Sequence, residues 1–170
     1  MPVSPQRKEM KIESLLRLDC ILDNLQATSK EDALRQMAQT LFDLGYVRKS
    51  FLQAILDRES RYPSGLPMEG EKIAIPHVDS IHVVRSVLFF ARLGKAVEFS
   101  VMGDPASRIS VRLISMFALK EKNQIGNLLT TLITAYQNPL LLDSLIRAED
   151  KATIYKILAN TAAYTAAASQ

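Results

Sequence analysis

The chain has 170 residues, of which 48% are hydrophobic and 23% are charged, and its formal net charge is +3. This composition is typical of one soluble globular domain, long enough to bury a substantial core. Its single cysteine, Cys20, excludes an internal disulfide. No apolar run approaches the ~18 residues of a membrane span, and no basic stripe with interleaved aromatic residues supports nucleic-acid binding.

The first part of the chain is predicted to contain a flexible segment, one strand and two helices. Residues 1–12 are polar and contain prolines, so we expect a flexible segment there. A short strand is expected near Leu18–Leu22. Ser29–Asp32 has the pattern of a capping box, at the start of a helix that Gly45 ends. A second helix is expected over Ser50–Glu59, with Ser50 as its cap. Residues 61–71 contain turn signals and are expected to form a loop.

The middle of the chain is rich in strand character. Ile73–Ile75 is short and β-like. Ser86–Leu93 is strongly apolar, and we expect Gly94 to separate it from a short strand at Ala96–Phe99. Val111–Leu119 is apolar nearly throughout, which predicts a strand that is buried on both faces.

The remainder is predicted to be helical. Gln124–Tyr136 places its apolar residues at helical spacing, Pro139 is suited to the first position of a helix, and Asp150–Ala159 forms the last helix. This order of elements predicts an α/β fold over residues 13–160: a single three-layer domain, with a mixed β-sheet of about five strands flanked by helices on both faces. Residues 161–170 are expected to be a flexible tail.

Both histidines of the chain, His77 and His82, lie within one short stretch. His77 follows the Ile73–Ile75 strand and Pro76. Proline belongs at the end of a strand, because it cannot donate to a sheet ladder. The pattern therefore places His77 at the C-terminal edge of a strand, where α/β proteins usually build their sites. A neutral imidazole there is available as a nucleophile.

Arg58, in the last turn of the second predicted helix, lies beside the loop that leads to His77. A nearby cation disfavours imidazolium, and it suits an imidazole that stays neutral and then carries an anion such as a phosphoryl group. A merely structural His77 remains equally compatible with these residues alone. Two histidines and one distant cysteine do not make a usual zinc site. The chain also lacks the glycine-rich nucleotide fingerprints, so we expect no metal and no cofactor.

Three segments together resemble a known family: Arg58-Glu59-Ser60, Tyr62-Pro63-Ser64-Gly65-Leu66 and Gly70-Glu-Lys-Ile-Ala-Ile-Pro-His77. They are similar to the IIA domain of the bacterial phosphoenolpyruvate-dependent sugar phosphotransferase system. The similarity is to its fructose–mannitol superfamily, and nearest to the galactitol-type branch. It covers roughly residues 15–160.

The resemblance implies a phosphoryl relay. His77 would accept phosphate from the phosphocarrier protein HPr and pass it to a cysteine of a IIB component, without metal or nucleotide. Arg58 would stabilise the phosphoryl oxygens. Ser64 matches a family threonine or serine, and its hydroxyl would either bond phosphate or cap the turn. Asp79 and Glu59 are expected to be structural, and His82 to be a surface residue near the site.

The sequence departs from the family pattern at one place. Many members carry a second histidine at the start of the helix after the last long strand, where this chain has Gln124 as its closest match. Gln124 can donate a hydrogen bond but cannot supply a cation. Backbone N–H groups of the helix N-terminus near Asn123 are the alternative phosphate ligand.

The resemblance implies a phosphotransferase in carbohydrate uptake, with a galactitol-like polyol or a related sugar as cargo. The IIB component and the membrane component IIC are expected to be separate chains, with IIC reached only indirectly. We expect a cytoplasmic protein with no direct membrane insertion. Two other hypotheses remain: a regulatory protein of the same fold that is phosphorylated on His77 and acts by binding a partner, and a binding module without chemistry.

Overall fold

The computed structural model describes residues 10–161. Six α-helices lie within that range: α1 Ile12–Leu15, α2 Lys30–Asp43, α3 Phe51–Arg61, α4 Ile125–Tyr136, α5 Pro139–Arg147 and α6 Lys151–Ala159. Five strands lie there as well: β1 Leu16–Leu25, β2 Gly65–Leu66, β3 Ile73–Ala74, β4 Val87–Val101 and β5 Asp104–Ala118. Two short 3-10 helices cover Ser80–His82 and Lys122–Gln124.

The five strands form one mixed sheet. β4 lies parallel to β1 on one side and antiparallel to β5 on the other, and β4 and β5 form a long hairpin. β2 and β3 are an antiparallel pair of two residues each. β3 runs parallel to β5, and β2 meets β4 at Val101. The small pair is thereby fixed to both long strands, and the residues after β3 lie along the end of β5.

Helices cover both faces of the sheet. Neighbouring residues of a strand point to opposite faces, so Phe89 packs in the core under α2 and α3, whereas Leu88 and Phe90 pack in the core under α4, α5 and α6. All three side chains are fully buried. The predicted three-layer α/β fold with a mixed sheet of about five strands is confirmed.

Several predicted helix boundaries are also confirmed by their caps. Ser29 accepts a hydrogen bond from the N–H of Asp32 and starts α2, and Gly45 follows that helix with φ +83°. Pro139 is the first residue of α5. Asp150 caps α6 by accepting from the N–H of Thr153. Ser29, Pro139 and Asp150 each satisfy, or remove, an N–H group that the start of a helix leaves unpaired, whereas Gly45 ends α2 by adopting a left-handed conformation.

The prediction that Gly94 divides two strands is wrong, because β4 runs without interruption past it. The glycine instead marks a shift in the pairing of β4 with β5, between Arg92 and Val97. A Cβ at this position would overlap the side-chain nitrogen of Gln26. Gly94 is therefore explained by a close approach at an irregularity of the strand, which is a common use of glycine in sheets.

Two local predictions near the site are also wrong. Ser50 was expected to cap the second helix with its side chain, but it has helical φ and ψ and forms no cap hydrogen bond. Its hydroxyl is 2.8 Å from Nδ1 of His82 instead. The region between α3 and β3, predicted to be only loop, contains β2, which is too short to carry a sequence pattern.

The flexible segments predicted at 1–12 and 161–170 fall almost entirely outside the described residues. Within the described part, Ile12 lies in α1 and Thr161 is buried. None of the helices in residues 10–161 has both the length and the apolar character that a membrane span requires.

One buried arginine joins three elements of the fold. Arg92, on β4, donates from Nε and Nη2 to the two carboxylate oxygens of Asp23 on β1, at 2.7 and 2.8 Å. Its Nη1 donates to three carbonyl oxygens at the C-terminal end of α5, those of Leu145, Ile146 and Ala148. Arg92 therefore caps α5 and fixes the helix to the sheet.

We expect the substitution Arg92→Met to lower the free energy of unfolding by about 3 kcal/mol, because it leaves carbonyl groups and a carboxylate without their partner. Urea unfolding at pH 7 measures this loss. Arg112→Met is the matched control, since Arg112 donates only at 3.3 Å to one carbonyl, and it should cost below about 1 kcal/mol.

The stabilisation by Arg92 should also depend on pH. Hydrogen bonding from Arg92 holds the pKa of Asp23 below its usual value. The contribution of this pair is therefore present above about pH 4 and is lost as the pH falls through the lowered pKa. The difference in the free energy of unfolding between wild type and Arg92→Met should become smaller in acid. A difference that is equally large at pH 7 and at pH 3 would contradict this assignment.

Candidate functional site

His77 lies just beyond β3, beside the last residues of β5. The N–H of Phe117 on β5 donates to the carbonyl of Pro76, and His77 forms an isolated parallel bridge with the same phenylalanine. The imidazole stacks on the Phe117 ring, with centroids 4.6 Å apart and planes inclined by 11°. Only 8% of the residue is exposed. The ring is thus held in a packed, largely water-free place, with little freedom to turn.

A single backbone carbonyl determines which nitrogen of His77 carries the proton. Nδ1 lies 2.9 Å from the carbonyl oxygen of Ile75. A carbonyl oxygen can only accept, so Nδ1 holds the hydrogen and the lone pair of the neutral ring is on Nε2. The sequence could not assign this nitrogen, because the contact depends on how the chain turns at Pro76.

The surroundings of His77 favour the neutral imidazole. Burial lowers the pKa of His77, and the positive charge of Arg58 lowers it further. The Ile75 carbonyl and the charge of Asp79 act in the opposite direction, but the pKa remains below its ordinary value of 6.5. A neutral imidazole with a free Nε2 is a nucleophile at physiological pH.

Arg58 lies in the last turn of α3, as the sequence predicts. It lines a pocket of about 200 Å³ together with Tyr62, Asp79 and His82. Its guanidinium carbon is 5.4 Å from the centre of the Tyr62 ring. This cation–π contact steadies a long side chain beside the histidine, and the guanidinium fork suits phosphoryl oxygens.

Glu59, next to Arg58 on α3, points into the protein. The residue is 4% exposed, and its Oε1 accepts a hydrogen bond of 3.0 Å from the N–H of Ser64. Burial raises the pKa of Glu59, and the Ser64 N–H partly offsets this. The expectation that Glu59 is structural agrees with this contact, but the contact also ties it to the loop that faces His77.

Ser64 and Gln124, the two further candidates from the sequence, share an unusual property. Within residues 10–161, their Oγ and Oε1 atoms are the only buried side-chain oxygens or nitrogens without a hydrogen-bond partner of acceptable geometry. Such atoms are rare in folded proteins, and one common explanation is a functional role. The Ser64 hydroxyl nonetheless lies near Glu59 and lowers the pKa of that carboxyl, so a bond to a phosphoryl oxygen would compete with this contact.

Gln124 ends the 3-10 helix before α4, as its position in the sequence predicts. Its Oε1 can only accept, so a contact with phosphate would have to come from its NH₂ group. No hydrogen bond among the described residues joins Gln124 to His77. The structure therefore places Arg58 close enough for its charge to act on His77, and it shows no contact between Gln124 and His77 among the described residues.

Phe117 and Tyr62 were missed as site residues by the sequence analysis. Tyr62 follows Arg58 by four residues, the spacing of side-chain pairs on one helix face, and that signal was available. Phe117 gave no such signal, because it is one of several apolar residues on a buried strand. Its role comes from the pairing of β5 with the residues after β3.

The protein-family model described as "Phosphoenolpyruvate-dependent sugar phosphotransferase system, EIIA 2" matches residues 14–161. The galactitol-specific EIIA component of Escherichia coli K12 is 27% identical over 117 residues, which are 69% of this chain and 77% of the relative. The mannitol-specific EIICBA component of Vibrio cholerae is 32% identical over 143 residues, 82% of this chain and 21% of the relative.

A solved structure adds a partner to the comparison. It is the complex of the E. coli mannitol enzyme IIA with its phosphorylated enzyme IIB, and its matching chain superposes with a TM-score of 0.69 at 26% identity. The match covers 85% of this chain and 96% of that one.

Proposed function

Because this chain belongs to the EIIA 2 family of the phosphoenolpyruvate-dependent sugar phosphotransferase system, we propose that His77 is the residue that carries its phosphoryl group. The protein is a IIA component, a phosphotransferase that forms a phosphohistidine and passes the phosphate to a IIB component. The observation that carries the assignment is the buried, neutral imidazole of His77, with Nδ1 engaged by Ile75 and Arg58 nearby.

The reaction consists of two in-line displacements at phosphorus. In the first, the lone pair of His77 Nε2 attacks the phosphorus of phospho-HPr, the Nε2–P bond forms, and the electron pair of the breaking bond returns to HPr. In the second, a cysteine sulfur of IIB attacks, and the electron pair of the Nε2–P bond returns to His77.

The residues around His77 suit both displacements. The ring gains positive character when Nε2 is phosphorylated, and the Ile75 carbonyl at Nδ1–H stabilises that charge. Arg58 acts on the other side of the new bond, where it neutralises the phosphoryl oxygens in the transition state. The Ser64 hydroxyl, which also lies close enough to the Glu59 carboxyl to lower its pKa, is a further candidate donor.

An exposed apolar patch next to this site supports docking of HPr and IIB in turn. Tyr62 is 66% exposed and lines the pocket with Arg58, and Ile81, in the 3-10 helix that ends at His82, is 72% exposed. Leu66, Pro67 and Met68 are equally compatible, by sequence, with this surface and with packing of the loop. Leu66 is buried, Met68 is half-buried against the core, and Pro67 is exposed. Exposed apolar side chains around a reactive group are typical of partner binding.

The cargo assigned to this component is a galactitol-like polyol, which rests on its similarity to the galactitol-specific relative. The membrane component IIC takes part only through IIB. Phosphoenolpyruvate, HPr and IIB act in the cytoplasm, and the protein is assigned to that compartment.

A reconstituted relay tests this function. Purified protein is incubated with phosphoenolpyruvate, enzyme I and HPr, and a galactitol-type IIB chain is then added while intact masses are followed. The protein should gain one phosphoryl group and lose it to IIB. Failure to gain phosphate from a competent donor would contradict the phosphocarrier role, whereas gain without loss to any IIB would favour the regulatory alternative.

A further inference from the structure

Three hydrogen bonds connect Glu59 to His77 through two backbone residues. The Ser64 N–H donates to Glu59 Oε1 at 3.0 Å, and the Ile75 N–H donates to the Ser64 carbonyl at 3.1 Å. His77 Nδ1–H then donates to the Ile75 carbonyl at 2.9 Å. The series runs from α3, across the β2–β3 pair, to the imidazole, and we name it the Glu59 chain.

All members of the Glu59 chain are shielded from water. Glu59, Ser64, Ile75 and His77 are 4%, 3%, 0% and 8% exposed. Because water cannot replace a lost partner there, each hydrogen bond restricts the next residue more strongly than it would at the surface. The position of the Ile75 carbonyl, and with it the His77 ring, therefore depends on where Ser64 is held.

Ser64 is held from one side by Glu59 and from the other by the sheet. The next residue, Gly65, accepts from the N–H of Met102 at 2.8 Å, and a Cβ on Gly65 would lie 2.6 Å from the Ser100 carbonyl. This second attachment does not involve Glu59. We therefore expect the loop to stay on the sheet when Glu59 is changed, with Ser64 free to move.

We propose that Glu59 is a positioning residue for phosphoryl transfer: through Ser64 and Ile75 it keeps the proton of His77 on Nδ1 and presents Nε2 to the phosphoryl donor. This inference rests on the proposed function of His77. It gives the Arg-Glu pair on α3 two different tasks, because Arg58 stabilises the phosphoryl oxygens and Glu59 orients the nucleophile from inside the protein.

A plain structural anchor is the alternative role for Glu59. Burial makes an ionised carboxyl costly, and its charged neighbours on α2 act in opposite directions, since Lys30 lowers its pKa and Glu31 raises it. The acceptor oxygen, rather than the charge, is what the Glu59 chain requires. Variants that change the length of the Glu59 side chain and its charge separately therefore distinguish a positioning role of Glu59 from a purely structural one.

Three substitutions make this separation. Glu59→Gln keeps an acceptor oxygen at the same reach without charge, Glu59→Asp keeps the charge but is one methylene shorter, and Glu59→Leu removes the acceptor. Ile154→Ala is the control for lost stability, since Ile154 is fully buried on α6, which packs against β1 on the opposite face of the sheet. The two readouts are long-range ¹H–¹⁵N spectra of the His77 ring in unphosphorylated protein and the rate of phosphate uptake from phospho-HPr.

We expect wild type, Glu59→Gln and Ile154→Ala to show His77 with the proton on Nδ1 and to react at similar rates. Glu59→Leu and Glu59→Asp should show a mixture of both neutral tautomers and react about 10- to 100-fold more slowly, because a small misplacement of a reacting atom costs that much. The spectra do not depend on phosphorylation, so they test positioning even if the wild type accepts no phosphate.

Two results would overturn the proposal. One is a folded Glu59→Leu protein with wild-type His77 spectra and rate. The other is a loss of rate in Glu59→Leu no larger than that of Ile154→Ala at equal stability. If Glu59→Leu does not fold, Glu59→Asp decides alone, and wild-type behaviour of that variant overturns the proposal.

Discussion

Replacing His77 with glutamine should abolish phosphate uptake from phospho-HPr. Glutamine is similar in size and polar, so the fold should persist, but its amide nitrogen is not a nucleophile. Intact mass spectrometry after incubation with the donor system should show one phosphoryl group on the wild type and none on His77→Gln. His82→Gln is the matched control: His82 lines the neighbouring pocket and bonds Ser50, and its variant should be phosphorylated like the wild type.

The rate of phosphate uptake by His77 should depend only weakly on pH near neutrality. Because burial and Arg58 keep the pKa of His77 below 6.5, the neutral nucleophile persists as the pH falls through that value. Uptake should therefore keep most of its rate at pH 6.5, where an ordinary histidine would be about half protonated. Phosphorylation of His77→Gln at the wild-type level, or its loss only in His82→Gln, would contradict the assignment of the acceptor.

Replacing Arg58 with methionine should slow phosphate uptake by about 100- to 1000-fold, the cost of removing one preorganised group that stabilises transition-state charge. Methionine keeps the apolar stem of the side chain but removes the guanidinium that lies over Tyr62. Single-turnover transfer from phospho-HPr measures the rate directly. Arg58→Lys should recover only part of it, because an ammonium supplies charge but not the planar fork that grips two oxygens.

Arg61 provides the control for Arg58, since it lies in the same last turn of α3 and lines the same pocket. Arg61→Met removes an equal charge, and its rate should stay within about threefold of the wild type, as expected for an exposed charge that acts only by long-range attraction. Equal losses of transfer rate in Arg58→Met and Arg61→Met would mean that the pocket attracts the phosphoryl donor through its overall charge. Arg58 would then have no specific role in the transition state.

Much of the fold could be predicted because its signals are local. Ser29, Pro139 and Asp150 start helices by satisfying or removing an unpaired N–H group, which depends only on neighbouring residues. The buried parts of β4 and β5, residues 87–93 and 111–118, are apolar enough to be recognised without knowing their partners. The mostly exposed first part of β5, residues 104–110, carries no such signal and was not predicted. The confirmed helices and the confirmed fold class come from features of this kind.

The wrong predictions concern local structure that depends on residues far away in the sequence. The glycine at position 94 predicts a break, because the sequence does not show that Gln26 and Asn24 lie against it. The pattern at Ser50 predicts a helix cap, but the Ser50 hydroxyl contacts His82, which is 32 residues away in the sequence. The strand β2 has two residues, and its existence depends on β3 and β4.

Some features of the candidate site could likewise be predicted from the sequence, and others depend on tertiary contacts. Arg58 and His77 could be found because they belong to a sequence pattern, with the proline before His77 marking the end of a strand. The protonated nitrogen of His77, its stacking on Phe117 and the Glu59 chain could not, since each depends on how β3 and β5 are paired. The sequence thus predicts which groups react, and the tertiary structure determines how those groups are oriented.

The position of the phosphoryl group on the phosphorylated protein tests the central claim most directly. The protein, labelled with ¹⁵N, is phosphorylated by HPr and enzyme I, and long-range ¹H–¹⁵N spectra with phosphorus coupling identify the bonded nitrogen. We expect a bond to Nε2 of His77, with Nδ1 still protonated and hydrogen-bonded to the Ile75 carbonyl. Phosphate on Nδ1 of His77, or on His82, would contradict the account.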